Sequence, residues 1–187
     1  MTLDRWEDFE TLFGPRGACG GCWCMYPRLT ASEFGRSKGE GNRKAMRGVV
    51  KSGGIPGIIA YEGDVPVGWC AFGPREEYVR LSTSRILKPI DDHPVWSIVC
   101  LFVARSHRRQ GISTALLRAA ADHARKRKAK ILEGYPHEVR TAKAPDAFIW
   151  TGVASAYREA GFTEVARRSQ GRPIMRLLLG GRSRSKS

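Results

Sequence analysis

Long apolar runs are missing. No stretch of the 187 residues approaches the ~18 consecutive apolar positions of a spanning helix, so no membrane partner is expected. The start, MTLDRWEDFE, has acids and amphipathic spacing where a secretion signal has basic residues and an apolar stretch. A cytoplasmic chain is therefore expected. No segment repeats at the 20–50-residue periods of solenoids and propellers. Acids are scarce: 18 Asp and Glu face 32 Lys and Arg, a net charge of +14. That balance favours an anionic partner, whether nucleic acid, a phosphorylated cofactor or an acidic surface. A second C-x-x-C is also missing. Cys19, Cys22 and Cys24 stand together, but His93, His107, His123 and His137 are scattered. Zinc wants four ligands, so no metal is expected. Five cysteines without a secretion signal read as free thiols.

Apolar residues are present in quantity. They make up 42% of the chain, with five Trp, seven Phe and five Tyr, which excludes a wholly disordered chain. The spacing of Leu3, Trp6, Phe9 and Phe13 predicts a short helix from Thr2 to Leu12, stopped by Gly14-Pro15. Thr30 with Glu33 forms a candidate capping box, and a second helix is expected from Asn42 to Lys51. Gly57–Tyr61 and Val65–Phe72 read as a hairpin around a three-residue turn, Glu62-Gly63-Asp64. The stretch Glu76–Asp92 is irregular, with a short helix or connection around Ser82–Leu87. Val95–Val103 is a buried central strand. Gly111–Arg127 is the strongest helix, with Ile112, Ala115, Leu116, Ala119 and Ala120 on one face. A strand at Ile131, a loop from Tyr135 to Asp146, a helix Thr151–Ala160 and a last hairpin, Phe162–Ser169 with Pro173–Leu179, complete the order. The fold class is mixed α/β, with a parallel crossover around the long helix. One domain is expected over 1–179, its first 54 residues being helices and the cysteine loop. A disordered basic tail is expected over 180–187.

The most informative segment runs from Leu101 to Thr114. A buried strand enters a basic loop, and Gly111 opens a helix. A helix N-terminus carries unpaired N–H groups and partial positive charge. Glycine lets a phosphate oxygen approach the backbone, and Arg108 and Arg109 add charge. This is pyrophosphate physics. It is neither G-x-G-x-x-G nor G-x-x-x-x-G-K-[ST]. Solvated arginines before an ordinary helix are the plainer reading.

Arg108-x-x-Gly111-x-Ser113 resembles the acyl-CoA-binding motif of the GNAT superfamily of N-acyltransferases, which has Gly or Ala where Ser113 stands. Tyr157-Arg158-Glu159-Ala160-Gly161-Phe162 is similar to the family's late helix, and the last hairpin fits its final strands. The resemblance covers roughly Ile58 to Leu179. It implies a GNAT fold: a central mixed, mostly antiparallel sheet with a splayed parallel strand pair, flanked by helices. It implies acetyl-CoA as co-substrate and an amine acceptor, small molecule or protein. Backbone groups of Leu101, Phe102 and Val103 would pair with the pantetheine arm. Arg108, Arg109, Gln110, Gly111, Ile112, Ser113 and Thr114 would hold the pyrophosphate.

The resemblance also places Tyr157 where the family's general acid sits; a core tyrosine is the other reading. Ser97 stands near the place of the Glu that many relatives use as base. Glu133, Asp92 and His93 are further candidates, each also readable as structural or solvated. The cysteine loop lies where N-terminal elements wall the acceptor site, making Trp23 and Cys24 candidate acceptor residues. The rival class is a non-catalytic module for nucleic acid or ribosome on a degenerate GNAT fold. Aromatics are not interleaved with Lys and Arg in a stacking pattern, so nucleic acid is not the expected partner. A monomer or homodimer fits the length.

Overall fold

The structure, a computed structural model, describes residues 1–139 and 150–180. The expected loop from Tyr135 to Asp146 is described only at its start, and residues 181–187 of the basic tail lie outside the described residues. A 3-10 turn, Leu3–Arg5, leads into α1 (Trp6–Phe13), which buries Trp6, Phe9, Leu12 and Phe13. Helix α2 (Ala31–Arg36) carries the expected capping box. The Glu33 N–H donates to Thr30 Oγ1 at 3.3 Å, and the Thr30 N–H donates to the Glu33 carboxylate at 2.9 Å. Helix α3 (Glu40–Lys51) buries Met46 and Val50.

Strands β1 (Gly57–Glu62) and β2 (Val65–Pro74) form the first hairpin. Its turn has two residues, not three: Glu62 pairs with Val65, and Gly63 takes φ 56°, as tight hairpins require. A 3-10 turn, Arg75–Glu77, and the short α4 (Val79–Ser82) follow; of the short helix or irregular connection expected around Ser82–Leu87, the helix lies earlier and the connection is irregular. Then come β3 (Trp96–Val103), α5 (Ile112–Lys126), β4 (Ile131–Gly134), α6 (Ala154–Glu159), β5 (Thr163–Arg167) and β6 (Pro173–Leu178). Gly161, at φ 92°, ends the turn after α6.

The six strands lie in the order β1-β2-β3-β4-β6-β5. Only β3 and β4 run parallel, the other neighbours being antiparallel. Alternation along β2 divides the core. Trp69 and Ala71 join α1, α3 and the cysteine loop on one face. Cys70 and Phe72 join α5 and α6 on the other. Each fully buried Phe or Leu stabilises the fold by about 1.5–3 kcal/mol. Gly68 sets the distance of α5: a Cβ there would press on Ile112 and Leu116 at 3.0 and 3.1 Å. Among the described residues no helix is long and apolar enough to cross a membrane.

Arginine–carboxylate pairs tie the C-terminal strands to the rest. Arg176 binds Asp91 through both terminal nitrogens, at 2.6 and 3.1 Å, holding its carboxyl at about 2 against the ordinary 3.8. Arg158, and then Arg167, hold Glu138 at about 2 against 4.5. Burial pushes His137 from 6.5 to about 4. All three groups take up protons more readily in the unfolded chain, so each contribution is complete above its unfolded value and is lost as pH falls. Stability should start to drop below about pH 6.5, as unfolded His137 charges, and drop faster between about 4.5 and 2, as unfolded carboxylates protonate. Thermal melts across that range check this, and Glu138→Gln should flatten the lower limb. A melting point unchanged down to about pH 2 would contradict it.

Candidate active site

Strand β3 pairs with β2 along most of its length but with β4 at only three rungs: Trp96 with Leu132, Ser97 with Glu133, Ile98 with Gly134. Beyond them the two strands separate. The Leu101 N–H donates into the gap, to the Trp150 carbonyl at 2.7 Å, and the Val103 carbonyl accepts from Arg108 Nε at 3.1 Å. The Ala104 N–H instead bonds Val67 on β2 at 2.9 Å. By strand alternation, Phe102 also turns its backbone toward β2. Of the three residues expected to meet a pantetheine arm, Phe102 therefore offers its side chain, while the Leu101 N–H and the Val103 carbonyl have partners within the chain.

After β3 the chain makes a 3-10 turn, Arg105–His107. Arg109 and Gly111 take positive φ, 62° and 77°, and α5 begins with no side chain capping it. The N–H groups of its first turn, Ile112 to Thr114, thus lack helical partners. A Cβ on Gly111 would meet nothing within 4 Å, so glycine serves the turn and leaves the approach open. Arg109 and Gln110 are exposed. Thr114 is buried, and its hydroxyl donates to Glu159 of α6 at 3.2 Å.

A cavity of about 660 Å³ opens beside this turn. Leu101, Phe102, Val103, Arg108 and Ser113 line one side. Cys19, Cys22, Cys24 and Cys100 line it too. The cysteine loop is backbone-strained, with φ 65° at Ala18, 44° at Trp23 and 59° at Cys24. Trp69 Nε1 donates to Cys24 Sγ at 3.2 Å. A hydrogen bond from Cys100 lowers the Cys24 thiol's pKa, while burial pushes Cys22 up to about 11. Trp23 is not among the lining residues. It is buried against Phe9 and Phe13, and a Cβ on Gly17 would collide with its indole. Among the described residues no group of three or more His, Cys, Asp or Glu is placed to hold a metal ion.

A second cavity, about 310 Å³, lies at the other side of the opening, lined by Val99, Tyr135, Thr151, Arg80 and Arg172 among others. Tyr26, Pro27 and Trp150 line both. Tyr157, Ser97 and Glu133 line neither. The Tyr157 ring lies where a Cβ on Gly134 or Gly152 would crowd it. Its hydroxyl donates to the Thr151 carbonyl at 3.1 Å, and burial raises its pKa well above the ordinary 10. Asp92 and His93 are exposed and line neither cavity.

Sequence reasoning missed Tyr135 and Arg75. The Tyr135 hydroxyl accepts from Arg75 and from Ser97, the latter at 2.9 Å, and donates to Glu133 Oε1 at 2.6 Å. Arg75 reaches the same oxygen at 3.2 Å, and Arg176 Nε donates to Oε2 at 2.7 Å. Both oxygens of Glu133 are thus held by guanidinium groups, and its place is that of an anchor rather than a base. The signals in sequence were faint: Arg75 follows the last residue of β2 and Tyr135 the last of β4. Removing one charge from such a network leaves its partners uncompensated, at about 3–5 kcal/mol. Glu133→Gln should lower denaturant-measured stability by about 3 kcal/mol or more. Unchanged stability with lost activity would return Glu133 to the chemistry.

A model of the acetyltransferase (GNAT) family matches residues 28–144. No curated protein matches the chain. Among solved structures, a GNAT-family acetyltransferase from Streptococcus agalactiae is 11% identical, with 95% of this chain and 92% of that one covered and a TM-score of 0.55. A GNAT-family protein from Desulfovibrio desulfuricans is 17% identical, covering 95% and 94%, at TM-score 0.51. The PaiA N-acetyltransferase from Thermoplasma acidophilum, solved with coenzyme A, is 14% identical, covering 95% of each chain, at TM-score 0.50. At such identities these structures speak for the fold, and the family model speaks for descent. The strand order, the opening between β3 and β4, the glycine turn before α5 and the match over more than half the sequence agree: the chain belongs to the acetyltransferase (GNAT) family.

Proposed function

We propose that the protein moves the acetyl group of acetyl-CoA to a primary amine by direct attack within a ternary complex. The observation that carries this reading is the uncapped start of α5 behind Gly111, at the rim of the larger cavity and next to the end of β3. Three backbone N–H groups with Arg108 and Arg109 suit a pyrophosphate. The apolar cavity beyond suits the arm and thioester. Binding the arm along β3 requires the Trp150 carbonyl to leave the Leu101 N–H.

The reaction joins the amine nitrogen to the thioester carbon, breaks the C–S bond and returns a proton to the thiolate. Tyr157 is the proposed donor. The phenol is buried and bonded to the Thr151 carbonyl, so donation requires its hydroxyl to leave that carbonyl and turn to the opening. No Asp, Glu or His among the described residues lines either cavity. The amine therefore enters as free base, its proton left with water.

Acetyl-CoA affinity by calorimetry tests the co-substrate assignment. Gly111→Glu should weaken it about tenfold or more, equal to about 1.4 kcal/mol, by placing a carboxylate against the phosphates. Gly111→Ala isolates the strain of a side chain at φ 77° and should weaken it less. Equal affinity in folded wild type and Gly111→Glu would remove the assignment. For Tyr157→Phe, kcat should fall at the low end of the ~10²–10⁴-fold range of a positioned acid, with acetyl-CoA affinity kept. Following the thioester absorbance avoids the background from the protein's own thiols. Wild-type kcat and an unchanged alkaline limb would make Tyr157 a core residue.

A further inference from the structure

The smaller cavity is lined by charge of one sign, and two of its lining residues carry buried polar atoms without a partner. Arg80 and Arg172 line it, and no Asp or Glu among the described residues does. Neither arginine forms an ion pair with any described carboxylate. Arg172 is only partly exposed. One terminal nitrogen, Nη1, is used on His137 Nε2, at 2.6 Å. Its Nε is buried with no partner, and Nη2 has none among the described residues. These two N–H groups form the side-on edge of the guanidinium, the fork that takes a carboxylate through two parallel bonds; with Nε buried, a ligand in the cavity meets the terminal nitrogens, and the full fork opens to it only if the side chain shifts. Arg80 uses its Nε on the Tyr26 carbonyl, at 2.8 Å, and stacks on the Tyr26 ring 3.9 Å from its centre. Stacking leaves its terminal nitrogens to other acceptors. Thr151 Oγ1 is a second buried atom without a partner, and Thr151 also lines this cavity. Of four such atoms in the described chain, two belong to residues lining this one cavity. Native proteins rarely leave such groups unpaired except where something else binds.

Much of the remaining wall is apolar, with Leu81, Ile86, Leu87 and Val99, and Thr83 and Ser84 add hydroxyl residues. A volume of about 310 Å³ suits a molecule the size of an amino acid, not a folded partner. Val99 and Tyr135, the first residues past the paired rungs of β3 and β4, place the cavity at the opening where the thioester would arrive.

We propose that this cavity binds the acceptor, and that the acceptor is a small primary amine bearing a carboxylate and an apolar side group, with Arg172 and Arg80 holding the carboxylate. The assignment rests on the acetyl-CoA reading above and narrows its acceptor. Arg172 and Arg80 position the substrate and take no part in the bond changes.

The test uses matched pairs: L-leucine, L-methionine and L-phenylalanine, each beside its own amide, with the full-length protein. Rates are compared per neutral amine, because an amide lowers the pKa of the neighbouring amine. Calorimetry of each probe without acetyl-CoA gives a second, activity-independent reading. The acids should bind and react at least about tenfold better than their amides. Arg172→Gln should bring the preference to within about threefold, with acetyl-CoA affinity as the control for folding, and Arg172→Lys should fall between. Arg80→Gln serves if Arg172→Gln does not fold. Amides equal to or better than acids would overturn the proposal, as would a preference that survives in both arginine variants. Acetyl-CoA binding with no turnover of any acid would overturn the acceptor class and leave the acetyl-CoA reading standing. Absence of acetyl-CoA binding would sink the earlier reading, and the probe calorimetry would still decide this one.

Discussion

Glu133 sits on the middle one of the three rungs that pair β3 with β4, and four side chains converge on it directly or through one another. Arg75 and Tyr135 hold one oxygen and Arg176 the other, while Ser97 reaches it through Tyr135. Asp91 closes the set on Arg176. Two acids and two bases thus balance in a largely buried place. Such a network need not add net stability over an apolar core. What it does is fix register: a one-residue slip of β4 would turn Glu133 to the other face, away from Arg176 and Ser97. With the register pinned, the strands diverge just past the next rung. Both cavities, and the positions of Val99, Tyr135 and Leu101 around them, follow from that point of separation.

Space around the opening is set as much by missing atoms as by present ones. Gly134 and Gly152 make room for the Tyr157 ring between the end of β4 and the chain entering α6. Gly17 makes room for Trp23 in the aromatic cluster with Phe9, Phe13 and Trp69. That cluster anchors a strained loop whose next residue, Cys24, reaches the larger cavity. The strain at Cys24 is sustained because the tryptophan before it is locked in the core.

Local features were legible in the sequence. The Thr30–Glu33 capping box, the period of α5, the alternation of β1 and β2, and the glycine before α5 each depend on neighbours a few residues apart. The expected splayed, mixed sheet came from the family resemblance together with these patterns. What could not be read depends on distant partners. Arg75 meets Glu133 and Tyr135 nearly sixty residues on, and Arg172 meets His137 across the sheet. Glu133 alone reads either as a candidate base or as a structural or solvated acid; its two guanidinium partners, which hold both oxygens, lie far off in sequence. Trp23 in a Gly- and Cys-rich loop looks like a pocket aromatic. The cleft left by Gly17 takes it into the core instead. The hairpin turn reads one residue too long because Glu62 is polar, yet it pairs with Val65 at a strand's exposed end.

The charge balance gains a physical sense from these placements. Carboxylates on the surface are largely consumed by arginines: Glu77 by Arg28, Glu10 by Arg43, Glu138 by Arg158 and Arg167. With fewer acids than bases, some guanidiniums stay unpaired, and Arg80 and Arg172 are two of them beside one cavity. Such a cavity acts on an amine as well as on a carboxylate. Nearby positive charge disfavours the ammonium form and lowers its pKa. Guanidiniums that attract the acceptor's carboxylate thus also help its nitrogen shed the proton that blocks attack. On that reading the amine would need no general base from the lining residues described. On the proposed reading, recognition and activation of the amine would share one cause, the excess of positive charge that the composition shows before any fold is known.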